Sequence, residues 1–196
     1  MWNLPNILTV SRIVAIPVVI ALMGFDSPVI RWIACGIFTA AGITDFFDGY
    51  LARREKLVSR FGRFLDPIAD KLLVASVLLM LVAFDRVGWW SYLPALVILL
   101  REILVSGLRE FLAEIRVGLP VTRLAKFKTT IQMVALGFLI VGDGAPDWIH
   151  ARLVGEIGIW FAAAVTLITG YDYLRTGLKH MEEDAQASPA PPASPS

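Results

Sequence analysis

The stretch TDFFDGYLARREKLVSRFGRFLDPIADK, residues 44–71, places four aspartates between two long apolar segments. Asp45 and Asp48 are three residues apart, and Asp66 and Asp70 are four apart. Either spacing puts two side chains on one face of a helix. The first pair closes one apolar segment and the second pair opens the next, with a short loop between them. We therefore expect two neighbouring helices whose four carboxylates converge.

The composition of the whole chain is typical of an integral membrane protein. Of its 196 residues, 57% are hydrophobic and 18% are charged, and its mean hydropathy is +0.67. The length indicates one domain. The formal net charge of +1 does not by itself indicate a partner, and we expect no nucleic acid to bind. The single cysteine, Cys35, cannot form an intramolecular disulfide and is expected to be a small buried hydrophobe.

Six apolar segments are candidates for membrane-spanning helices, each of which needs about 20 residues. The fifth segment is too short unless residues of the preceding AKFK contribute to it. The predicted fold is an all-α integral membrane protein with six transmembrane helices. The candidates run from about Ile7 to Gly24, Val29 to Phe47, Pro67 to Phe84, Trp90 to Leu108, Thr129 to Val141 and Leu153 to Tyr173.

Basic residues concentrate in alternate loops, which predicts the orientation. The loop after the second segment and the loop after the fourth are basic, so the positive-inside rule places these loops and both termini in the cytoplasm. Residues 1–180 form the predicted membrane domain. Residues 181–196, MEEDAQASPAPPASPS, are acidic and then rich in Pro, Ala and Ser, which predicts a disordered tail.

Four carboxylates at one end of a helix bundle need positive charge near them, because each charge inside a bilayer costs about 2.5–3.5 kcal/mol on insertion scales. Oxygen ligands without Cys or His suit a hard cation such as Mg²⁺ or Mn²⁺. Four carboxylates suit two such ions, an arrangement used for reactions at phosphorus. A carboxylate that is not fully used by metal can take a proton from an attacking hydroxyl group.

Small residues near the aspartates predict a place for a phosphorylated ligand. Gly49 and Ala52 lie three apart and leave a strip on which a bulky group can approach the helix. Arg53 is within reach of a phosphate on that strip, and Gly62 permits a tight turn before the next helix. The alternative is that the acids simply pair with flanking Arg and Lys at the membrane surface. That alternative does not explain the helical spacing of the acids.

The order of these residues resembles the signature of the CDP-alcohol phosphotransferase family at every position. The matching positions are Asp45, Asp48, Gly49, Ala52, Arg53, Gly62, Asp66 and Asp70. In that family an alcohol attacks the β-phosphorus of a CDP-linked lipid alcohol, and CMP leaves. The resemblance implies six helices around a polar cavity open to the cytoplasm, usually in a homodimer.

The same resemblance implies roles for individual residues. Asp45, Asp48 and Asp66 would ligate the metals, and Asp70 would be the general base while also facing the second metal. The CDP-lipid would be bound by Asn6, Thr9, Gly49, Ala52, Arg53, Ser59 and Gly62. Asn6 and Thr9 belong to NLPNILTVSR, residues 3–12, which lies beside the nucleotide in the family. The alternative is that this stretch holds a helix cap and interfacial polar residues.

Three further stretches narrow the acceptor alcohol. NLPNILTVSR, REILVSGLRE (residues 101–110) and AKFKTTIQM (residues 125–133) resemble the bacterial members of the family that use CDP-diacylglycerol and sn-glycerol 3-phosphate, from Trp2 to about Leu174. The implied product is phosphatidylglycerophosphate, made at the bacterial inner membrane. Excess positive charge near the cavity mouth suits an anionic acceptor, and the candidate phosphate ligands are Arg109, Arg123, Lys126 and Lys128.

Several alternatives stay open for these basic stretches and for the function. Lys126 and Lys128 are equally well explained as ordinary cytoplasmic charges, and Arg101 and Glu102 as a structural pair with another helix. The same chemistry could use serine, inositol phosphate or phosphatidylglycerol as acceptor. A divalent-cation transporter would need acids near the middle of its spans and paired repeats, and a structural scaffold would explain none of the signature.

Overall fold

The computed structural model describes the backbone of residues 4–55, 60–114 and 123–187, and the side chains of residues 7–44, 62, 65, 67–113 and 127–178. This part of the chain contains no strand. Short 3-10 turns connect the helices at Trp89–Ser91, Gly142–Gly144 and Asp147–Ile149. The α-helices are α1 Leu4–Met23, α2 Pro28–Glu55, α3 Arg60–Ala83, α4 Tyr92–Glu114, α5 Arg123–Val141 and α6 Ala151–Ala187.

The six predicted helices are confirmed as helices, with different ends. The fifth includes AKFK, as its short apolar segment required. The third does not begin near Pro67: α3 begins at Arg60 and Pro67 lies inside it. Hydropathy could not locate this start, because the first turns of α3 carry polar and charged residues. A proline inside a helix removes one backbone hydrogen bond, and α3 continues through it.

Helix α6 also extends past its predicted apolar segment. It runs to Ala187, so the first residues of the predicted tail continue the helix. Their sequence, MEEDAQA, is rich in residues that favour helix. Disorder beyond them stays a prediction, because residues 188–196 lie outside the described part of the chain.

Close contacts at glycines define how the helices run against one another. A Cβ atom on Gly158 of α6 would lie 2.6 Å from Cβ of Ala135, and one on Gly155 would lie 2.6 Å from Cγ of Leu139. Later residues of α6 therefore face earlier residues of α5, so these helices are antiparallel. Small residues allow this close approach, as in membrane helix pairs.

Helices α4 and α6 run parallel to each other. Gly170 of α6 faces Arg101 of α4, and Gly177 faces Leu108, so positions advance together along the two helices. Helix α2 packs against α5, where the Cys35 thiol donates to the carbonyl oxygen of Gly137 at 3.5 Å. Cys35 is partly rather than fully buried. Consecutive helices therefore run in opposite directions, as in a bundle whose connections each reverse the chain.

Helix α6 exposes most of its large apolar residues, Ile159 excepted, and buries mainly small or polar ones. Ile157, Leu167 and Ile168 are each about three-fifths exposed. The buried face holds Gly155, Ala162, Ala163, Thr166 and Thr169. This distribution is the reverse of that of a helix on the surface of a water-soluble protein.

Two helical segments of the described chain are long and apolar enough to cross a membrane, Trp89–Ala113 and Asp147–Leu178. Two shorter apolar helical segments are Ile7–Met23 and Pro28–Thr44. Among the described residues, two helices qualify by this measure of length and composition, and hydropathy predicted six over the whole chain.

The end of the bundle at which α1, α3 and α5 finish is tied together by Arg86. This side chain is 4% exposed. Its Nη1 atom donates to the carbonyl oxygen of Ile140 at 3.1 Å, and Nη2 donates to those of Met23 and Phe25 at 2.6 and 3.1 Å. Burial lowers the pKa of the Arg86 guanidinium, and nearby Arg31 lowers it further. Arg86 thus satisfies carbonyl groups at helix ends that lack helical partners.

A second tie at this end joins α6 to the turn before α4. The carboxylate of Glu156 accepts hydrogen bonds from the backbone N–H of Gly88 and from Nε1 of Trp90, both at 2.7 Å. Glu156 is 5% exposed. These contacts fix the end of the bundle that is farthest from the aspartate stretch.

Candidate functional site

The aspartate stretch lies on two helices, as its spacing predicted. The backbone of α2 is helical through Asp45 and Asp48, and that of α3 through Asp66 and Asp70. Each pair therefore has the helical separation that puts both members on one face. Only the side chain of Asp70 is among those described, and it is half-buried.

Four other predicted site residues have described side chains. Thr9 of α1, Gly62 of α3 and Lys128 of α5 are buried, whereas Arg109 of α4 is exposed. The remaining predicted residues fall outside the described side chains. They are Asn6, Asp45, Asp48, Gly49, Ala52, Arg53, Ser59, Asp66, Arg123 and Lys126.

Lys128 is buried next to a carboxylate of another helix. Its side chain is 4% exposed, and Nζ donates to Oε1 of Glu102, which is 18% exposed. A buried charge of this kind needs a partner of opposite charge, because removing an ammonium group from water is costly. The structure therefore places Lys128 inside the bundle, not among charges on the outer surface of a loop.

Arg101 donates to the same oxygen of the Glu102 carboxylate as Lys128 does. Its Nη1 atom donates to Oε1 of Glu102 at 3.1 Å, and its Nη2 atom donates to Oγ1 of Thr169 on α6 at 3.0 Å. The guanidinium carbon lies 6.0 Å from the ring centre of Tyr173, a distance suited to a cation–π contact. The interpretation of Arg101 and Glu102 as residues that pair with other helices agrees with these contacts.

The side chain of Arg101 can cross to α6 because of Gly170. A Cβ atom there would lie 3.1 Å from Cγ of Arg101, which is closer than ordinary packing permits. Thr169, beside this glycine, also donates to the carbonyl oxygen of Val165 at 2.9 Å. The hydroxyl that receives Arg101 is therefore itself oriented by its own helix.

Helix α3 brings two more charges to this place. Asp70 lies close enough to Lys128 to attract its ammonium group, and Lys71 lies close enough to Glu102 to attract its carboxylate. We call Asp70, Arg101, Glu102, Lys128 and Thr169 the inner polar cluster. Hydrogen bonds join its members on α4, α5 and α6, and the charge of Asp70 on α3 acts on the buried Lys128.

Several polar residues near this cluster were not selected from the sequence. Thr166 and Gln132 are 0% and 2% exposed, and within the described part of the chain Oγ1 of Thr166 and Oε1 of Gln132 form no hydrogen bond. Such groups are uncommon in a protein interior. The signal in the sequence was the series Thr166, Thr169 and Tyr173 at helical spacing in an apolar segment.

The donor set on α2 and α3 fits a hard divalent cation. All four candidate ligands are carboxylates, and the helical backbone gives each pair a shared face. Oxygen donors are what Mg²⁺ and Mn²⁺ prefer. Within the side chains that the structure describes, no three His, Cys, Asp or Glu residues cluster as metal ligands would; three of the four candidates lie outside that range.

Most of the chain matches the model of a known protein family. The model of the CDP-alcohol phosphatidyltransferase family matches residues 2–168. This range includes the aspartate stretch and every member of the inner polar cluster except Thr169.

Three similar proteins share the name CDP-diacylglycerol–glycerol-3-phosphate 3-phosphatidyltransferase. That of Rickettsia bellii is 52% identical over 178 residues, which is 91% of this chain and 97% of the relative. That of Cereibacter sphaeroides is 40% identical, covering 93% of this chain and 99% of the relative. That of Pectobacterium atrosepticum is 42% identical, covering 88% and 93%.

Proposed function

The chain belongs to the CDP-alcohol phosphatidyltransferase family, and from this premise we propose that it transfers the phosphatidyl group of CDP-diacylglycerol to sn-glycerol 3-phosphate. The products are phosphatidylglycerophosphate and CMP. The observation that carries the proposal is identity of 40–52% with relatives of that name, over nearly the whole chain. The same activity makes the protein an enzyme of phospholipid synthesis.

Asp70 acts as the general base. It takes the proton of the primary hydroxyl of glycerol 3-phosphate, the resulting oxygen bonds to the β-phosphorus of CDP-diacylglycerol, and the bond from that phosphorus to CMP breaks. Its position on α3, half-buried and near Lys128, supports this role. Most of the rate enhancement would come from positioning and electrostatics.

Asp45, Asp48, Asp66 and Asp70 hold two divalent cations, Mg²⁺ or Mn²⁺. Bound ions of this kind stabilise the negative charge that develops on the phosphoryl oxygens and on the leaving CMP. The all-carboxylate donor set and the helical backbone beneath it support the assignment.

Substrate binding divides between the two sides of the aspartates. The CDP group of the lipid contacts the α1 and α2 side and the start of α3, through Asn6, Thr9, Gly49, Ala52, Arg53, Ser59 and Gly62. The phosphate of the acceptor is bound by Arg109, Arg123, Lys126 and Lys128. The burial of Lys128 near Asp70 supports an acceptor position next to the base.

The protein resides in the bacterial cytoplasmic membrane, with six helices crossing it and a polar cavity open to the cytoplasm. Two described segments have the length and hydropathy of membrane spans. The exposed apolar face of α6 supports contact with lipid, since such a face is unfavourable in water. A homodimer is the proposed assembly, and both termini are on the cytoplasmic side.

The test is CMP release by purified protein with CDP-diacylglycerol and Mg²⁺. Glycerol 3-phosphate, serine, inositol phosphate and phosphatidylglycerol are offered in parallel. The variant Asp70→Asn tests the base, and Asp147→Asn is its control, because Asp147 is an exposed acid at the opposite end of the bundle.

Release only with glycerol 3-phosphate, lost in Asp70→Asn and kept in Asp147→Asn, is the expected result. Release with another acceptor would leave Asp70 as the proposed base but would contradict glycerol 3-phosphate as the acceptor. Folded wild-type protein that releases CMP with none of them would overturn the proposed function.

A further inference from the structure

We propose that Glu102 is a positioning residue for the acceptor: it holds the Lys128 ammonium group beside Asp70, where that group meets the phosphate of glycerol 3-phosphate. This inference rests on the proposed function, and it adds Glu102, with Arg101 and Thr169 behind it, to the acceptor site. Glu102 itself need not touch the substrate.

The first step of the argument is that Lys128 needs Glu102 to keep its place. Lysine has a long flexible stem and a compact charge, so its ammonium group takes the position that its partners define. Asp70 also attracts this group. Because the Glu102 carboxylate receives a hydrogen bond from Nζ, the ammonium group is held on the α4 side of its range.

The second step is that Glu102 is itself fixed. Arg101 donates to the same Oε1 atom at 3.1 Å, and Thr169 anchors Arg101 at 3.0 Å. Gly170 leaves room for the Arg101 stem. The carboxylate is therefore oriented from α6 through two consecutive hydrogen bonds, which is the support that a precise binding group requires.

The third step concerns charge. Arg101, Lys128 and Lys71 carry three positive charges, and Glu102 and Asp70 carry two negative ones, so these five groups leave one net positive charge. A dianionic phosphate monoester near Asp70 would find a net positive surrounding, whereas a neutral acceptor would gain less from it. The cluster thus suits the charge of glycerol 3-phosphate without leaving Lys128 as an uncompensated buried cation.

The purely structural alternative is that Glu102 only ties α4 to α5. The two roles differ in a double-mutant cycle on the kinetics. Wild type, Glu102→Gln, Lys128→Met and the double variant are assayed for the KM of glycerol 3-phosphate, the KM of CDP-diacylglycerol and kcat, and their Tm is measured in the same detergent.

A positioning role predicts that Glu102→Gln raises the KM of glycerol 3-phosphate by about tenfold, because a neutral amide oxygen binds the Lys128 ammonium group less strongly than a carboxylate does. The KM of CDP-diacylglycerol should change by less than about twofold. In the Lys128→Met background, Glu102→Gln should add almost nothing, because the residue through which Glu102 acts has been removed.

The matched control is Glu156→Gln. Glu156 is also a buried glutamate that accepts hydrogen bonds from a neighbouring segment, but it lies 13 positions before Thr169 on α6, about 20 Å along a helix. Its substitution should lower Tm and leave the KM of glycerol 3-phosphate unchanged. If Glu102→Gln fails to fold, Glu102→Asp retains the charge while shortening the side chain, and the same selective rise in KM is expected.

Equal rises in both KM values, multiplication of the two single effects in the double variant, or an unchanged KM in folded Glu102→Gln or, where needed, Glu102→Asp would each overturn the inference. These outcomes presuppose an active wild type. A wild type that releases no CMP with glycerol 3-phosphate contradicts the proposed function instead, so the two failures are distinguishable.

Discussion

The Nη2 atom of Arg86 donates a hydrogen bond to the carbonyl oxygen of Met23, the last residue of α1, at 2.6 Å. The same side chain also reaches Ile140 near the end of α5. Because Arg86 lies three residues after the end of α3, its side chain joins the ends of three helices. We expect this tie to determine much of the stability of the end opposite the aspartates.

Replacing Arg86 by Met should therefore destabilise the folded protein by about 2–4 kcal/mol, since buried carbonyl groups lose their partner. Thermal unfolding in detergent measures the effect. The control is Arg175→Gln, because Arg175 is an exposed cation near the other end of α6. That substitution should cost less than about 0.5 kcal/mol. Equal losses in both variants would contradict the role given to Arg86.

The close approach of α5 and α6 makes a second prediction. Gly158→Ala would put Cβ 2.6 Å from Cβ of Ala135, so the helices must separate and Tm should fall. At Gly36 of α2 a Cβ atom would meet nothing within 4 Å, and Gly36→Ala should raise stability by up to about 1 kcal/mol through helix propensity. Thermal unfolding compares the two. A harmless Gly158→Ala would show that the helix contact is looser than described.

Substitutions at two threonines of α6 distinguish the effect of a lost hydrogen bond from that of altered packing. Thr169→Val removes the acceptor for Arg101 and should raise the KM of glycerol 3-phosphate by about threefold to tenfold, since one partner of a charged group is lost. Thr166→Val should leave that KM unchanged, because the Thr166 hydroxyl forms no hydrogen bond among the described residues. Steady-state kinetics measure both KM values. If the two variants have the same KM for glycerol 3-phosphate, Arg101 does not contribute to acceptor binding through Thr169.

The exposed face of α6 can be tested for contact with lipid. Leu167 is 57% exposed. In a bilayer, Leu167→Asp should cost about 2.5–3.5 kcal/mol on insertion scales, whereas on a water-facing surface it would be harmless. Leu167→Phe is the control and should change little. The yield in the membrane fraction and the Tm in detergent report the difference. Full yield and an unchanged Tm for Leu167→Asp would argue that this face is not in lipid.

Most of the helices were predictable because apolar segments of sufficient length are visible in the sequence; the fifth needed the preceding AKFK as well. The start of α3 was not predictable, because its first turns read as a charged loop before Pro67. Hydropathy detects only the apolar part of a helix, which is the part that is buried or faces lipid. The same limit explains why α6 runs past the apolar segment that predicted it.

The aspartate helices were predictable from spacing alone, since residues three and four apart share a helix face. The partners of Lys128 were not. Glu102 is 26 residues away in sequence, and the Thr169 that anchors Arg101 is 68 residues away. Which charge neutralises which depends on how four helices pack, and no local pattern encodes that. The predicted phosphate ligand is thus also part of a buried network.

Helix α6 has 37 residues, about 55 Å at 1.5 Å per residue, whereas a hydrocarbon core is about 30 Å thick. If the apolar part is held in lipid, the C-terminal turns project from it as a continuous rod. A second protein joined to that rod in helical phase would move with the bundle as one body. For a chain of 21.6 kDa, too small to align well in electron cryo-microscopy images, α6 offers a place to attach a rigid marker without altering the bundle.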